Sequence, residues 1–382
     1  MSLEQYQRYL NFLQSDPTNL HLMSEAAELA HSLGKYEEAI ALCDQGLSIA
    51  ADSTSLIATK ALSLLSTGNI EDAATLFAQL HAIEPNDPVI RYNLAYCLAL
   101  QQKPEDALKL LGDAIEHYEA LPQMVHLHIR MLYDVEELEQ AIDLCKQVIA
   151  INPVDGKVHE LLSSLYVDEN DFAAAETHAA LALQANPNFA LAHTSMGTAA
   201  LSHQDDLRAM QHFEQALQLN QNNGRAWLGK AMTLMMQNKL PEAEQSFNAA
   251  IEHIPHHLGT YQALAWCYIT QGQLQKAEHT VKKALEIDDT FSENHGTLAV
   301  LAAMQGNLGL AQTEAQIALR LDRESFAGNY ARALIAQASG DSQQANQIID
   351  AILDNPNIIN NLSLRQFVAQ FKEQGKSGQT LH

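Results

Sequence analysis

Alanine recurs every 34 residues along almost the whole chain, at Ala39, Ala73, Ala107, Ala141, Ala175, Ala209, Ala243, Ala277, Ala311 and Ala345. A repeat of roughly 20–50 residues means that one small supersecondary unit is stacked many times, and a chain with such a repeat is not free to adopt an ordinary closed fold. Counting 34-residue units from Leu20, Thr54, Pro88, Pro122, Gly156, Ala190, Gly224, Leu258, Ser292 and Phe326 puts these alanines at unit position 20. Position 8 is also small, as Ala27, Ala61, Ala95, Ser163, Gly197, Ala231, Ala265, Ala299 and Ala333, with Ile129 the exception. Position 27 is Gly or Ala in seven units. Position 15 is Gly34, Gly68, Gly272, Gly306 or Gly340, or else Asn170 or Asn238, and position 32 is Pro85, Pro153, Pro187 or Pro255.

The spacing has a direct physical reading. Positions 4, 7, 8 and 11 share one helix face, and so do 20, 24 and 27. Gly or Asn at 15 suits the positive φ that ends a helix, and proline at 32 stops the second helix. Each unit is therefore expected to be a helical hairpin. Small residues let the helix axes approach, and larger ones such as Trp227, Phe247, Leu264 and Tyr268 fill the space beside them.

A 34-residue unit with these small positions, an apolar plug at 24 and proline at 32 resembles the tetratricopeptide repeat (TPR) family over residues 20–359. The resemblance implies an all-α, right-handed superhelical solenoid of helix-turn-helix units, ten in number, with first helices lining a concave groove. Residues 1–19 read as a capping helix, because Pro17 falls in the position-32 slot and Tyr6, Tyr9, Leu10 and Phe12 precede it. Residues 360–382 read as a closing helix, with Leu364, Phe367, Val368 and Phe371, followed by a tail. The fourth unit departs from the pattern, with Ile129 at position 8, Glu136 at 15 and Val148 at 27. Either the twist changes locally between the third and fourth units, or smaller neighbours compensate.

In the family, positions 2, 5, 9, 12 and 13 of the first helices face the groove. Here they supply two patches of candidate partner-binding residues. Tyr92, Tyr96, Arg130 and Tyr133 lie in units three and four, near His126. Leu228, Met232, Met235, Trp266, Ile269, Met304 and Tyr330 lie in units seven to ten. Methionine adapts its shape to a partner and aromatics anchor interfaces. By this reading Trp266, at position 9, contributes to binding, whereas Trp227, at position 4, belongs to the core. A carboxylate clamp, with lysine at 5 and asparagine at 9, is missing from every unit, and an asparagine ladder at 6 is reduced to Asn93.

Nothing in the chain points to catalysis, a cofactor or a metal. Acidic pairs such as Glu37-Glu38, Glu71-Asp72 and Glu105-Asp106 fall beside the hairpin turn, where the dipole of the second helix favours them. His253, His256 and His257 straddle a proline-containing turn and lack a coherent three-ligand geometry. Cys43, Cys97, Cys145 and Cys267 sit at packing positions 24 and 10 and form no CxxC. A formal charge of -24 disfavours nucleic acid and anionic membrane. There is no basic, apolar leader and no apolar run long enough for a span. The expectation is a cytoplasmic, non-catalytic scaffold, adaptor or chaperone-like binder. It would hold a peptide, helix or partner domain of basic or apolar character. The alternative is a regulatory subunit of an enzyme or of a transcription or secretion machine.

Overall fold

In a computed structural model, which describes residues 3–354, every one of the ten unit starts is the first residue of a helix. The described residues hold 21 α-helices and no strand. After α1 (Leu3–Ser15), the first helices of the hairpins are α2 (Leu20–Ser32), α4 (Thr54–Ser66), α6 (Pro88–Leu100), α8 (Pro122–Asp134) and α10 (Gly156–Asp168). They continue as α12 (Ala190–Ser202), α14 (Gly224–Met236), α16 (Leu258–Thr270), α18 (Ser292–Met304) and α20 (Phe326–Ala338). Their partners are α3 (Tyr36–Ile49), α5 (Ile70–Ile83), α7 (Pro104–Leu111), α9 (Leu138–Ile151) and α11 (Phe172–Ala185). Next come α13 (Asp206–Leu219), α15 (Leu240–His253), α17 (Leu274–Ile287), α19 (Leu308–Leu321) and α21 (Ser342–Asp354). The chain divides into two compact bodies, Met1–Leu165 and Tyr166–His382, and the division falls inside α10. The closing helix expected near residues 362–373, and the tail after it, lie outside the described residues.

The repeated alanines do what their spacing implies. All ten at position 20 are buried, nine of them completely. In the second body Phe247 packs among Ala231, Ala243, Leu264, Ala265 and Tyr268 in one cluster, and Phe213 packs among Ala200, Ala209, Ala216 and Ala226 in another. In the first body Phe77 is the corresponding plug, with Ile57, Ala61, Ala73 and Leu94. The four cysteines are buried too. Burial pushes the thiols of Cys43 and Cys145 up to about 12 and that of Cys97 to about 11, so they act as small apolar groups.

Position 15 has positive φ in every unit, whatever residue occupies it. Gly34, Gly68, Gly272, Gly306 and Gly340 are joined by Gln102, Glu136, Asn170, Gln204 and Asn238, with φ between 58° and 63° for the non-glycines. Hairpin closure thus imposes the conformation, and Glu136 does not break the turn. Most of the acidic pairs sit where the helix dipole places them: Glu37-Glu38, Glu71-Asp72 and Glu105-Asp106 occupy the first turns of α3, α5 and α7. The Asp205 carboxylate caps α13 by accepting the Arg208 amide at 3.0 Å.

A helix break that the sequence did not announce lies in the second helix of the third unit, just before the fourth. α7 stops at Leu111 and a 3₁₀ turn, Ala114–His117, follows and packs on α8. Arg91 explains how the broken end is satisfied: its Nε donates to the freed Leu110 carbonyl at 3.0 Å and its Nη1 to Asp113 Oδ2 at 2.8 Å. Ile129 and Val148, the large residues at small positions of the fourth unit, are both buried.

Position 4 is not uniformly a core site. Its side chain repeatedly donates to the carbonyl at position 32 of the preceding unit, which has no helical N–H to meet it. His159 reaches Pro153 in the first body. In the second, His193 reaches Pro187, Trp227 reaches Gln221, Tyr261 reaches Pro255, His295 reaches Asp289 and Asn329 reaches Arg323, all at 2.8–3.2 Å. Trp227 is accordingly only half-buried, with Lys230 over its ring at 5.8 Å. The expectation that it is a core residue is corrected by the polar partner that its indole N–H requires.

Candidate functional site

In the second body, two sets of side chains touch across an intervening unit. Asp168, at the end of α10, accepts from Arg225 on α14 at 2.7 Å. Trp266 on α16 meets Phe326 and Tyr330 on α20, with ring centroids 5.9 and 6.1 Å apart, and those two rings stack on each other at 6.3 Å. Each contact passes over a first helix rich in small residues, α12 (ALAHTSMGTAALS) and α18 (SENHGTLAVLAAM) respectively. At α18 the cause is visible: a methyl group on Gly296 would lie 2.8 Å from Ala327 Cβ and closer still to the Gly328 backbone. α18 and α20 therefore meet backbone to backbone, and Val300 lies completely buried in the cluster that includes Trp266 and Tyr330.

The inner stripe of this body is almost free of charge. Along positions 2, 5, 9, 12 and 13 of α12, α14, α16, α18 and α20 the charged residues are Arg225 and Glu293. Arg225 is bonded to Asp168. Glu293 accepts the amides of Phe326 at 2.7 Å and Ala327 at 3.1 Å, which caps α20, and Gln262 at 3.0 Å. On the stripe Met232, Met236 and Met304 are 40 %, 36 % and 48 % exposed, and the exposed polar residues, Thr270 and Gln337, are uncharged. Leu228, Met235 and Ile269 are half-buried and rest on the Phe247 cluster beneath. Trp266 and Tyr330 are half-buried and packed on the core around Val300, so Trp266 serves the fold as well as the surface.

The stripe of the first body has a different chemistry. Tyr92 and Tyr96 stack with centroids 6.2 Å apart. Burial and the neighbouring Tyr96 push the Tyr92 phenol up, and Arg130 opposes the shift. Arg130 is exposed and Tyr133 half-buried. His126 is withdrawn from the patch: its Nε2 lies 3.0 Å from Asp155 Oδ2, and Tyr118 donates to the same oxygen at 2.6 Å. Asp155 Oδ1 accepts the amides of Lys157 and Val158 at the start of α10. Burial works against the Asp155 charge, but the hydrogen bonds from His126, Tyr118 and Val158 outweigh it and hold the carboxyl well below the usual range. Towards the N-terminus the stripe is polar, with Ser24, Ser55 and Glu28 joined by hydrogen bonds.

Sequence spacing put the residues of both patches at stripe positions. It missed Phe326, which sits at position 1, and the two bonds that cross an intervening unit. Gly296 and Gly328, each inside a helix, were the available signal for the close approach. Among the described residues no group of three or more His, Cys, Asp and Glu is placed to hold a metal ion. No described helix is long and apolar enough to cross a membrane.

These features define an all-α helical-repeat protein. Tetratricopeptide-repeat family models match residues 21–53, 64–127, 161–223 and 223–290, together more than half of the chain. The chain belongs to the tetratricopeptide-repeat family. A Caenorhabditis elegans tetratricopeptide repeat protein 21 homolog is 27 % identical over 113 residues, which make up 30 % of this chain and 8 % of that protein. The chain thus matches only a small part of that relative. Among solved structures, the Cut9–Hcn1 hetero-tetramer of APC/C aligns over 93 % of this chain and 85 % of that one, with a TM-score of 0.56 and 13 % identity. A monomeric mutant of IFIT1 with Gppp-AAAA aligns over 92 % and 95 %, with a TM-score of 0.54 and 14 % identity. At such identities the likeness is one of fold.

Proposed function

We propose that the protein is a non-catalytic scaffold or adaptor that holds a segment of a partner protein on its inner stripe. The observation that carries this reading is the uncharged wall of the second body, with its exposed methionines, in a chain of formal charge -24. Apolar groups on a preformed surface supply affinity, while acidic groups elsewhere favour basic partners and repel acidic ones. The tyrosine and arginine patch of the first body, Tyr92, Tyr96, Arg130 and Tyr133, would give a second, more polar contact. Four free, buried cysteines with no disulfide suit a cytoplasmic setting, where cysteines stay reduced. Although an IFIT1 structure carries Gppp-AAAA, a nucleic acid here would face net negative charge and, in the second body, a stripe whose arginine, Arg225, is already paired.

The test is affinity capture with the intact chain and with a Met232→Glu/Met236→Glu/Trp266→Ala variant. Captured proteins are then purified and titrated against both. A partner that binds the parent at least about tenfold more tightly supports the reading, since aromatic anchors each contribute about 2 kcal/mol or more. Equal affinity for both forms, in every partner found, removes it.

A further inference from the structure

In the hairpins, position 4 of the first helix faces position 23 of the second. In unit nine this slot pairs His295 Nδ1 with Glu314 Oε2 at 2.7 Å. In unit six it holds two imidazoles. His193 Nδ1 and His212 Nδ1 lie 3.1 Å apart, with ring centroids at 5.4 Å and planes inclined by 35°. The other nitrogen of His193, Nε2, is 3.1 Å from the Pro187 carbonyl. A carbonyl only accepts, so Nε2 carries the proton and Nδ1 of the neutral ring is a lone pair. An N–H anchored to backbone opposite a free ring nitrogen is the arrangement that metal-bound histidines share. His212 is half-buried, and in the metal-free protein its Nδ1–H donates to the His193 Nδ1 lone pair. When that proton moves to Nε2, the other neutral tautomer, His212 Nδ1 presents a second lone pair to the same gap.

We propose that this slot between α12 and α13 binds one divalent transition ion of the imidazole-preferring kind (Cu²⁺, Ni²⁺ or Zn²⁺) through His193 Nδ1 and His212 Nδ1, with water completing its coordination. Two bonds of about 2.05 Å to nitrogens at this separation enclose about 98° at the metal. That is close to the right angle of tetragonal Cu²⁺ and Ni²⁺, and a tetrahedral ion needs the nitrogens to part by only about 0.25 Å. The neutral ligand pair leaves the charge of the ion to its surroundings, where Glu176 is held by Arg208 at 2.6 Å. The two ligands belong to the two helices of one hairpin, so the ion ties that hairpin together and binding is read as stability.

The experiment titrates the metal-free intact chain with Ni²⁺ by calorimetry and by thermal unfolding. The exposed His253 and His256 are a competing source of nitrogen, so a His253→Gln/His256→Gln variant serves as control. Parent and control are expected to take up one equivalent of Ni²⁺ and to melt at a higher temperature with it. His193→Gln and His212→Gln are expected to bind at least about tenfold more weakly and to lose the metal-induced shift, with unchanged helical circular dichroism. Should either variant fail to fold, Ni²⁺-induced perturbation of ring ¹⁵N resonances in the parent decides the matter, and it must fall on His193 and His212. Uptake that survives both substitutions, a perturbation confined to other histidines, or no stoichiometric binding at millimolar Ni²⁺ overturns the proposal and leaves the pair a hydrogen bond only.

Discussion

Phe213 is wedged between two glycines on neighbouring first helices, which makes it the sharpest place to test how small residues key the hairpins together. The ring is fully buried. A methyl on Gly197 would lie 2.7–2.9 Å from three of its carbons, and one on Gly229 would come closer to the same ring. Gly229→Ala should gain up to about 1 kcal/mol from helix propensity. Forcing the methyl against a trapped ring should cost about 1–3 kcal/mol. The expected balance is a loss of up to about 2 kcal/mol, centred near about 1 kcal/mol. Phe213→Leu alone removes part of the plug and should cost a similar amount, about 1–2 kcal/mol. In the double variant the methyl occupies space vacated by the ring, so the two losses should fail to add by about 1 kcal/mol or more. Urea unfolding followed by Trp227 fluorescence in a Trp266→Phe background reports this region directly, because Trp227 packs on the Phe213 cluster. A Gly229→Ala protein at least as stable as the parent, or strict additivity with Phe213→Leu, would refute the reasoning.

Other outcomes follow from the same geometry. Glu136→Gly removes a side chain from a φ of 63° and should stabilise by a few tenths to about 1 kcal/mol, seen as a higher Tm; a lower one counts against imposed left-handed strain. Asp155 has a folded pKa below its unfolded value, so its contribution is complete above about pH 4 and disappears as acid carries the pH down through the folded value. Asp155→Asn should therefore lose about 1–2 kcal/mol at neutral pH and respond less steeply to acid, and an acid limb as steep as the parent's would rule out this carboxylate as the source. Cys43, Cys97 and Cys145 should resist thiol reagents in the native protein and react on unfolding; prompt native labelling would show that their burial is wrong.

How much of this was legible in the sequence depends on whether a feature is local to one unit. Helix starts, the turn at position 15 and the small contacts at 8, 20 and 27 depend on neighbours within one period, and the 34-residue spacing exposes them. The positive φ of Gln102 and Gln204 was hidden because closure of the hairpin, not the residue type, sets it. The end of α7 was hidden because Arg91, twenty-two residues from Asp113, supplies the missing partners. The capture of His126 by Asp155, and the contacts of Asp168 with Arg225 and Trp266 with Phe326, depend on how close neighbouring units come. That spacing depends on α12 and α18 being built of small residues, and no single position announces it. Trp227 was misread because position 4 lies on the core face of its helix, while its N–H needed the Gln221 carbonyl.

The central claim, that the inner stripe is where a partner sits, is tested most directly by placing a photo-crosslinking residue at one site at a time. Met232 and Met304 represent the stripe, and the exposed Leu207 and Leu310, on second helices, represent other surface. With a partner purified from the capture experiment, the account predicts crosslinks from positions 232 and 304 and none from 207 or 310. Crosslinks from 207 or 310 alone would contradict it.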